Sequence, residues 1–204
     1  MAIGYIQKIS LSMRLCSLRP RRTLPNILAI TLLLASLQGC GINNIPIFEE
    51  AVNEAWIEVQ SQYRGRAELV LQLMDVMQPL RAGEPEIYEQ LRTTEDRVFE
   101  MHIAPDTLKN PEAFGDFRES QQALTEVLEV VFETATEYPE MVADDSYRNI
   151  NAALQENAQL IDIARRDYWQ KVERFNSELV NVPGRWWRAF VYPKVEPTEN
   201  FDEP

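Results

Sequence analysis

The sequence predicts an all-α fold: a long antiparallel up-down bundle made from four helical stretches. Three observations predict it. Among 204 residues there are only seven glycines, and Glu, Gln, Leu, Ala and Arg abound, a composition that favours helix over strand. Apolar residues recur at alternating spacings of four and three over long runs, the period of one helix face. No sustained polar–apolar alternation flanked by a two-residue turn, the mark of a strand pair, is found. The apolar fraction of 45% is enough for one ordinary folded core.

The first stretch is expected over residues 46–78, with Pro46 acceptable in a first turn. Val52, Trp56, Val59, Tyr63, Arg66, Val70, Leu73 and Met77 fall on one stripe of it. Pro79, Gly83 and Pro85 then break the pattern. The second stretch, residues 85–102, carries Ile87, Leu91, Val98 and Met101 on a less regular face, and residues 104–115 read as a loop. The third, residues 117–136, carries Leu124, Leu128, Val131 and Ala135. It ends at Tyr138-Pro139, because the residue before a proline resists helical geometry. The fourth, residues 145–181, is the most regular: Ile150, Leu154, Asn157, Ile161, Ala164, Tyr168, Val172, Phe175 and Leu179 keep the four-three rhythm. Asp144 or Asp145 can cap its start and Pro183-Gly184 stops it. Short connections make consecutive helices antiparallel neighbours. Residues 193–204 hold three prolines and four acidic residues and are expected to form a flexible acidic tail.

Ahead of these stretches lies a segment of a different kind. Residues 1–39 hold five basic side chains and no acidic one, and residues 27–37 form an apolar run of 11. As a helix that run is about 16 Å long, short of the ~30 Å hydrocarbon core of a bilayer. It is a poor membrane span and a good secretory apolar region. Leu37-Gln38-Gly39-Cys40 follows it and resembles the lipobox of bacterial lipoproteins. The resemblance implies diacylglycerol on the Cys40 thiol, cleavage before Cys40, and acylation (palmitate among the chains) of the new amino group, so that residues 1–39 are a lipoprotein signal peptide. Several acyl chains hold a protein on a membrane where one does not. Either Met1 or Met13 can be the start, and the latter gives a leader of 27 residues. The alternative is an uncleaved N-terminal anchor. After cleavage one cysteine remains, so no internal disulfide can form. Gly41 is not the aspartate associated with inner-membrane retention. In a Gram-negative source the protein is therefore expected on the periplasmic face of the outer membrane, and otherwise on the outer side of the inner membrane.

Without the leader the chain carries 15 basic and 32 acidic residues, a net charge of −17. Such a body repels nucleic acid and anionic lipid heads. Few residues suggest chemistry. Arg66 lies on the apolar stripe of the first helix; a buried arginine needs carboxylates or carbonyls, so it either binds a ligand or pairs with an acidic residue of another helix to fix register. Asn157 holds the equivalent place in the fourth helix, where a polar residue fixes alignment. His102 is the single histidine, with no glutamate three positions before it and no second zinc ligand type at hand, so no metal or other cofactor is expected. Arg185-Trp186-Trp187-Arg188-Ala189-Phe190 fits two placements. In an up-down bundle the fourth helix ends level with the start of the first, close behind Cys40, so the four residues Arg185, Trp186, Trp187 and Arg188 are candidates for a membrane interface. Alternatively the tryptophans fold back and cap the core.

The residues also resemble a known family. Ala55-Trp56 with Val59, Gln62, Tyr63, Arg66, Ala67, Glu68 and Leu69 resembles the first helix of the LemA family. Tyr138-Pro139, Ala164-Arg165-Arg166-x-Tyr168, Val172, Phe175-Asn176 and Pro183 resemble its second half, and the likeness spans most of residues 42–193. Members usually carry a second arginine where Gly65 stands and Pro-Asn where Leu71-Gln72 stand. The resemblance implies a long helical bundle on a membrane anchor over residues 40–192 and no established catalysis. The expectation is a non-enzymatic, membrane-anchored lipoprotein of the cell envelope, a scaffold or interaction module whose partners are envelope proteins, reached by a bundle face or coiled-coil pairing. The alternative is an envelope enzyme or accessory that uses a carboxylate cluster.

Overall fold

The computed structural model describes residues 43–101 and 108–202, all within the unit Gly41–Pro204. The leader, Cys16, Cys40 and His102 lie outside the described residues. Among those described there is no strand, and seven helices follow one another: α1 (Asn44–Val76), α2 (Gln78–Gly83), α3 (Pro85–Glu100), α4 (Pro111–Ala135), α5 (Pro139–Val142), α6 (Asp145–Val180) and α7 (Gly184–Phe190). The four long ones are the four expected stretches. The prolines act as starts as well as stops: α2, α3, α4 and α5 each have proline in the first turn, where no backbone N–H is needed.

One boundary differs markedly from expectation. Helix α4 begins six residues early, inside the expected loop, because Asn110 caps it: its side chain accepts from the Glu112 and Ala113 amides at 3.1 and 3.3 Å. Helix α6 begins as expected, with Asp144 accepting from Ser146 and Tyr147 at 2.8 and 3.1 Å. Just beyond its end lies Gly184, against whose backbone the Glu178 carbonyl sits so closely that a Cβ there would collide with it.

Contacts fix the directions. Asn44 meets Glu178 at one end of α1, and Asn157 meets Gln62 in its middle, so α1 and α6 run antiparallel along most of their length. At ~1.5 Å per residue, α6 with 36 residues is about 54 Å long. Helix α4 runs parallel to α1: Trp56 meets Phe114, Tyr63 meets Phe117 and Arg66 meets Gln121 and Thr125. Helix α3 is antiparallel to α4, so the order is up, down, up, down.

The core has two parts. One is aromatic, with Trp56, Tyr63, Phe114, Phe117, Tyr168 and Phe175. Trp56 has Phe117 edge-on at 5.5 Å and Tyr168 at 5.3 Å, spacings at which ring pairs attract. The other is mainly aliphatic, with Leu73, Met77, Leu80, Leu91, Leu124, Leu128, Val131 and Met141.

Residues 193–202 are not a flexible tail, and the folded unit does not stop at 192. They form a strap that returns along the bundle. The Tyr168 hydroxyl donates to the Glu199 carbonyl at 2.7 Å, and Asn176 and Thr198 exchange two hydrogen bonds at 2.9 and 3.0 Å. Phe201 enters the aromatic core at 5% exposure, 5.1 Å from the Phe114 ring and 4.6 Å beneath the Arg165 guanidinium. Asp202 pairs with Arg118. Composition suggested a tail because prolines and acids dominate it. One aromatic side chain and a set of backbone bonds outweigh that.

A polar layer and the groove beside it

Between the two apolar parts lies a layer of buried polar side chains. On α1 it is Arg66, on α4 Ser120 and Gln121, and on α6 Asn157. Each interrupts a stripe that is apolar above and below it. Asn157 donates from its amide to the Gln62 carbonyl at 3.0 Å, which ties α6 to α1 at one register. Its amide oxygen has no partner.

Arg66 does not meet the acidic partner expected for it. One terminal nitrogen donates to the Thr125 hydroxyl at 2.9 Å; the other donates to the Gln121 carbonyl at 3.0 Å and to the Gln121 side-chain oxygen. Its guanidinium lies 5.1 Å from the centre of the Tyr63 ring, a favourable cation–π distance. Among the described residues no carboxylate is within ion-pair range of it. Burial lowers its proton affinity and nearby Arg165 lowers it further, against the attraction of Tyr63. The layer thus holds a desolvated positive charge balanced by neutral dipoles. The reason is local: α4 presents Gln121 and Thr125 at this level, and its acidic residues face outward, as exposed Glu119, Glu126 and Glu129 do.

A groove of about 480 Å³ opens beside the layer, between α1, α3 and α4. Tyr63 and Gln121, two of the residues packed against Arg66, form part of its wall. Ala67, Val98, Met101 and Phe117 make it apolar, and exposed Leu71 and Phe99 stand at it. Gln60, Arg64 and Glu68 complete the lining. Such a surface can receive an apolar side chain, and the guanidinium behind it favours a carbonyl or carboxylate beside that side chain.

The model of the LemA family matches residues 55–202.

The chain belongs to the LemA family.

The matched span reaches through the polar layer and the groove and includes the returning strap, whose anchor Asn176 sits in the family-like Phe175-Asn176 pair. No curated protein matches the chain. The sequence singled out Arg66 and Asn157 of this LemA layer, but not Gln121 or Ser120. A signal for Gln121 existed: extending the stripe Leu124, Leu128, Val131 back by three reaches it, and by four more reaches Phe117.

A second buried polar group, Glu95 on α3, is 3% exposed, and one of its oxygens has no partner. Burial, and then the charge of Asp96, push its carboxyl above the usual 4.5. It is not among the groove-lining residues. The described residues contain no group of three or more His, Cys, Asp and Glu able to hold a metal ion. The aromatic-basic segment is split between core and surface. Trp187 is half-buried against the aromatic core, while Trp186 is 53% exposed. Arg188 donates to the Val195 carbonyl at 3.1 Å, and Arg185 is exposed. Among the described residues no helix is long and apolar enough to cross a membrane.

Proposed function

We propose that this LemA protein is a non-enzymatic interaction module of the bacterial cell envelope, cut before Cys40 and held on the membrane by acyl chains on that thiol. In a Gram-negative cell it stands on the periplasmic face of the outer membrane, following Gly41. Its partners are envelope proteins, and they dock at the groove between α1, α3 and α4. The observation that carries this reading is the groove itself: an open, mainly apolar wall with Leu71 44% and Phe99 69% exposed beside it. An apolar patch flanked by polar residues is the usual form of a protein-binding surface. The rival reading requires paired carboxylates at a cleft. Among the described residues the groove is lined by a single one, Glu68, and buried Glu95 is not part of its lining.

Two experiments test this proposal. Cys40→Ser should release the protein from membranes into a soluble fraction and abolish lipid labelling; labelled protein retained on the membrane would refute the anchor. A photo-crosslinking residue at Leu71 or Phe99 in intact cells should trap a defined protein, whereas one at exposed Arg148 should not. Equal trapping at all three positions would remove the groove from the proposal.

A further inference from the structure

The end of the bundle where α1 begins and α6 finishes is built differently from the rest of the surface. The bond between Asn44 and Glu178 brings those two helix ends together, and α7 packs against both helices there. Six large apolar residues are exposed around this end: Ile47 at 56%, Val180 at 58%, Val182 at 54%, Trp186 at 53%, Phe190 at 83% and Val191 at 45%. Residues 179–195 carry three basic side chains, Arg185, Arg188 and Lys194, and no acidic one, in a body whose net charge is −17. Core packing explains Trp187, which leans on the aromatic cluster. It does not explain Trp186 or Phe190.

We propose that this end is a seat on the bilayer surface, in which Trp186 and Phe190 enter the interfacial zone and Arg185, Arg188 and Lys194 meet lipid phosphates. The proposal rests on the acyl-anchor reading of Cys40. Asn43 is three residues from Cys40, and at ~3.5 Å per residue the intervening chain spans at most about 10 Å. An acylated Cys40 therefore keeps the start of α1 within that distance of the membrane, and the end of α6 and α7 lie beside that start. Tryptophan and arginine favour the interface for physical reasons: an apolar body with a polar edge, and a cation that pairs with phosphate. The remaining surface is acidic and is pushed away from anionic lipid, which orients this end toward the bilayer. The bundle then stands upright, and the groove, at the level of Tyr63 and Gln121 midway along α1, is held clear of the headgroups.

The test uses residues 41–204 without acyl chains, because every member of both apolar clusters lies between Ile45 and Phe201 and the unit carries its own core. This body should float with phosphatidylcholine vesicles, more strongly when phosphatidylglycerol is added. Brominated acyl chains should quench its tryptophan fluorescence, and Trp186→Phe should remove most of that quenching, since Trp56 and Trp187 are tied into the core and half-buried Trp169 lies 11 residues before the end of α6, about 16 Å along the helix. Trp186→Ser with Phe190→Ser should lower vesicle partitioning about tenfold, the effect of about 1.4 kcal/mol of lost apolar transfer, with the melting temperature unchanged. No flotation with either vesicle, or flotation unaffected by the double substitution in a folded protein, overturns the proposal. So does concentration-dependent dimerisation that the double substitution abolishes, since the patch would then serve a second copy of the chain. The anchor is judged separately, by the mass of the Cys40 peptide from cells, so the two readings can fail independently.

Discussion

Removing the Arg66 charge is expected to cost little, although the residue is buried and makes three hydrogen bonds. Its bonds to Thr125 and Gln121 are charge-assisted, a kind that contributes about 1.5–3 kcal/mol each. Taking a guanidinium out of water costs several kcal/mol, and among the described residues no carboxylate returns that energy. The two effects nearly offset each other. Arg66→Met keeps most of the volume and leaves Gln121 as the orphaned partner, so the loss should be about 1–2 kcal/mol. Adding Gln121→Leu removes the orphan, and the double variant should return to wild-type stability or exceed it by about 2 kcal/mol, as replacement of buried ionic groups by apolar ones often does. Arg66→Ala also opens a cavity and should be the worst of the three, at about 3–4 kcal/mol. Urea unfolding of residues 41–204, with equal slopes for all variants, measures the series. A double variant that stays about 3 kcal/mol or more below wild type would refute the reasoning, because it would mean that the guanidinium is a net source of stability with a counter-charge of its own.

Two further perturbations test other parts of the structure. Phe201→Ala should cost about 3–5 kcal/mol, since the ring is buried among Phe114, Tyr168 and Trp56 and beneath Arg165, and truncation after residue 192 should cost at least as much; thermal melts that move by less than a few degrees would restore the flexible tail. Glu95→Leu should stabilise the protein by about 1–3 kcal/mol at pH 7, because it removes a buried carboxylate with an unpartnered oxygen. The sign follows from the raised proton affinity. Glu95 favours the fold fully below its ordinary value of 4.5, and that contribution is lost as the pH rises through its higher folded value, so the gain from Glu95→Leu should shrink on acidification toward pH 4.5. A gain equal at both pH values would contradict this.

What the sequence determined by itself is the set of helices and the face each one buries. The four-three stripes of α1 and α6 are long, and a run of that period has no other way to hide its apolar residues. The same stripes exposed Arg66 and Asn157 as polar residues in apolar positions. Local chemistry visible in the sequence also sufficed for the start of α4, where Asn110-Pro111 is a cap followed by a first-turn proline, although the prolines and glycine nearby disguised it as loop. Only tertiary structure decided who meets whom. Arg66 faces Gln121 and Thr125 because α4 packs parallel to α1 at that height, and helix periodicity carries no information about the neighbour's register. Trp186 and Trp187 are adjacent in sequence yet divided between solvent and core by the turn at Pro183-Gly184. The strap of residues 193–202 was invisible for a related reason: it has no period to read, and its place is fixed by one aromatic ring and by backbone bonds whose partners lie between 22 and 91 residues away.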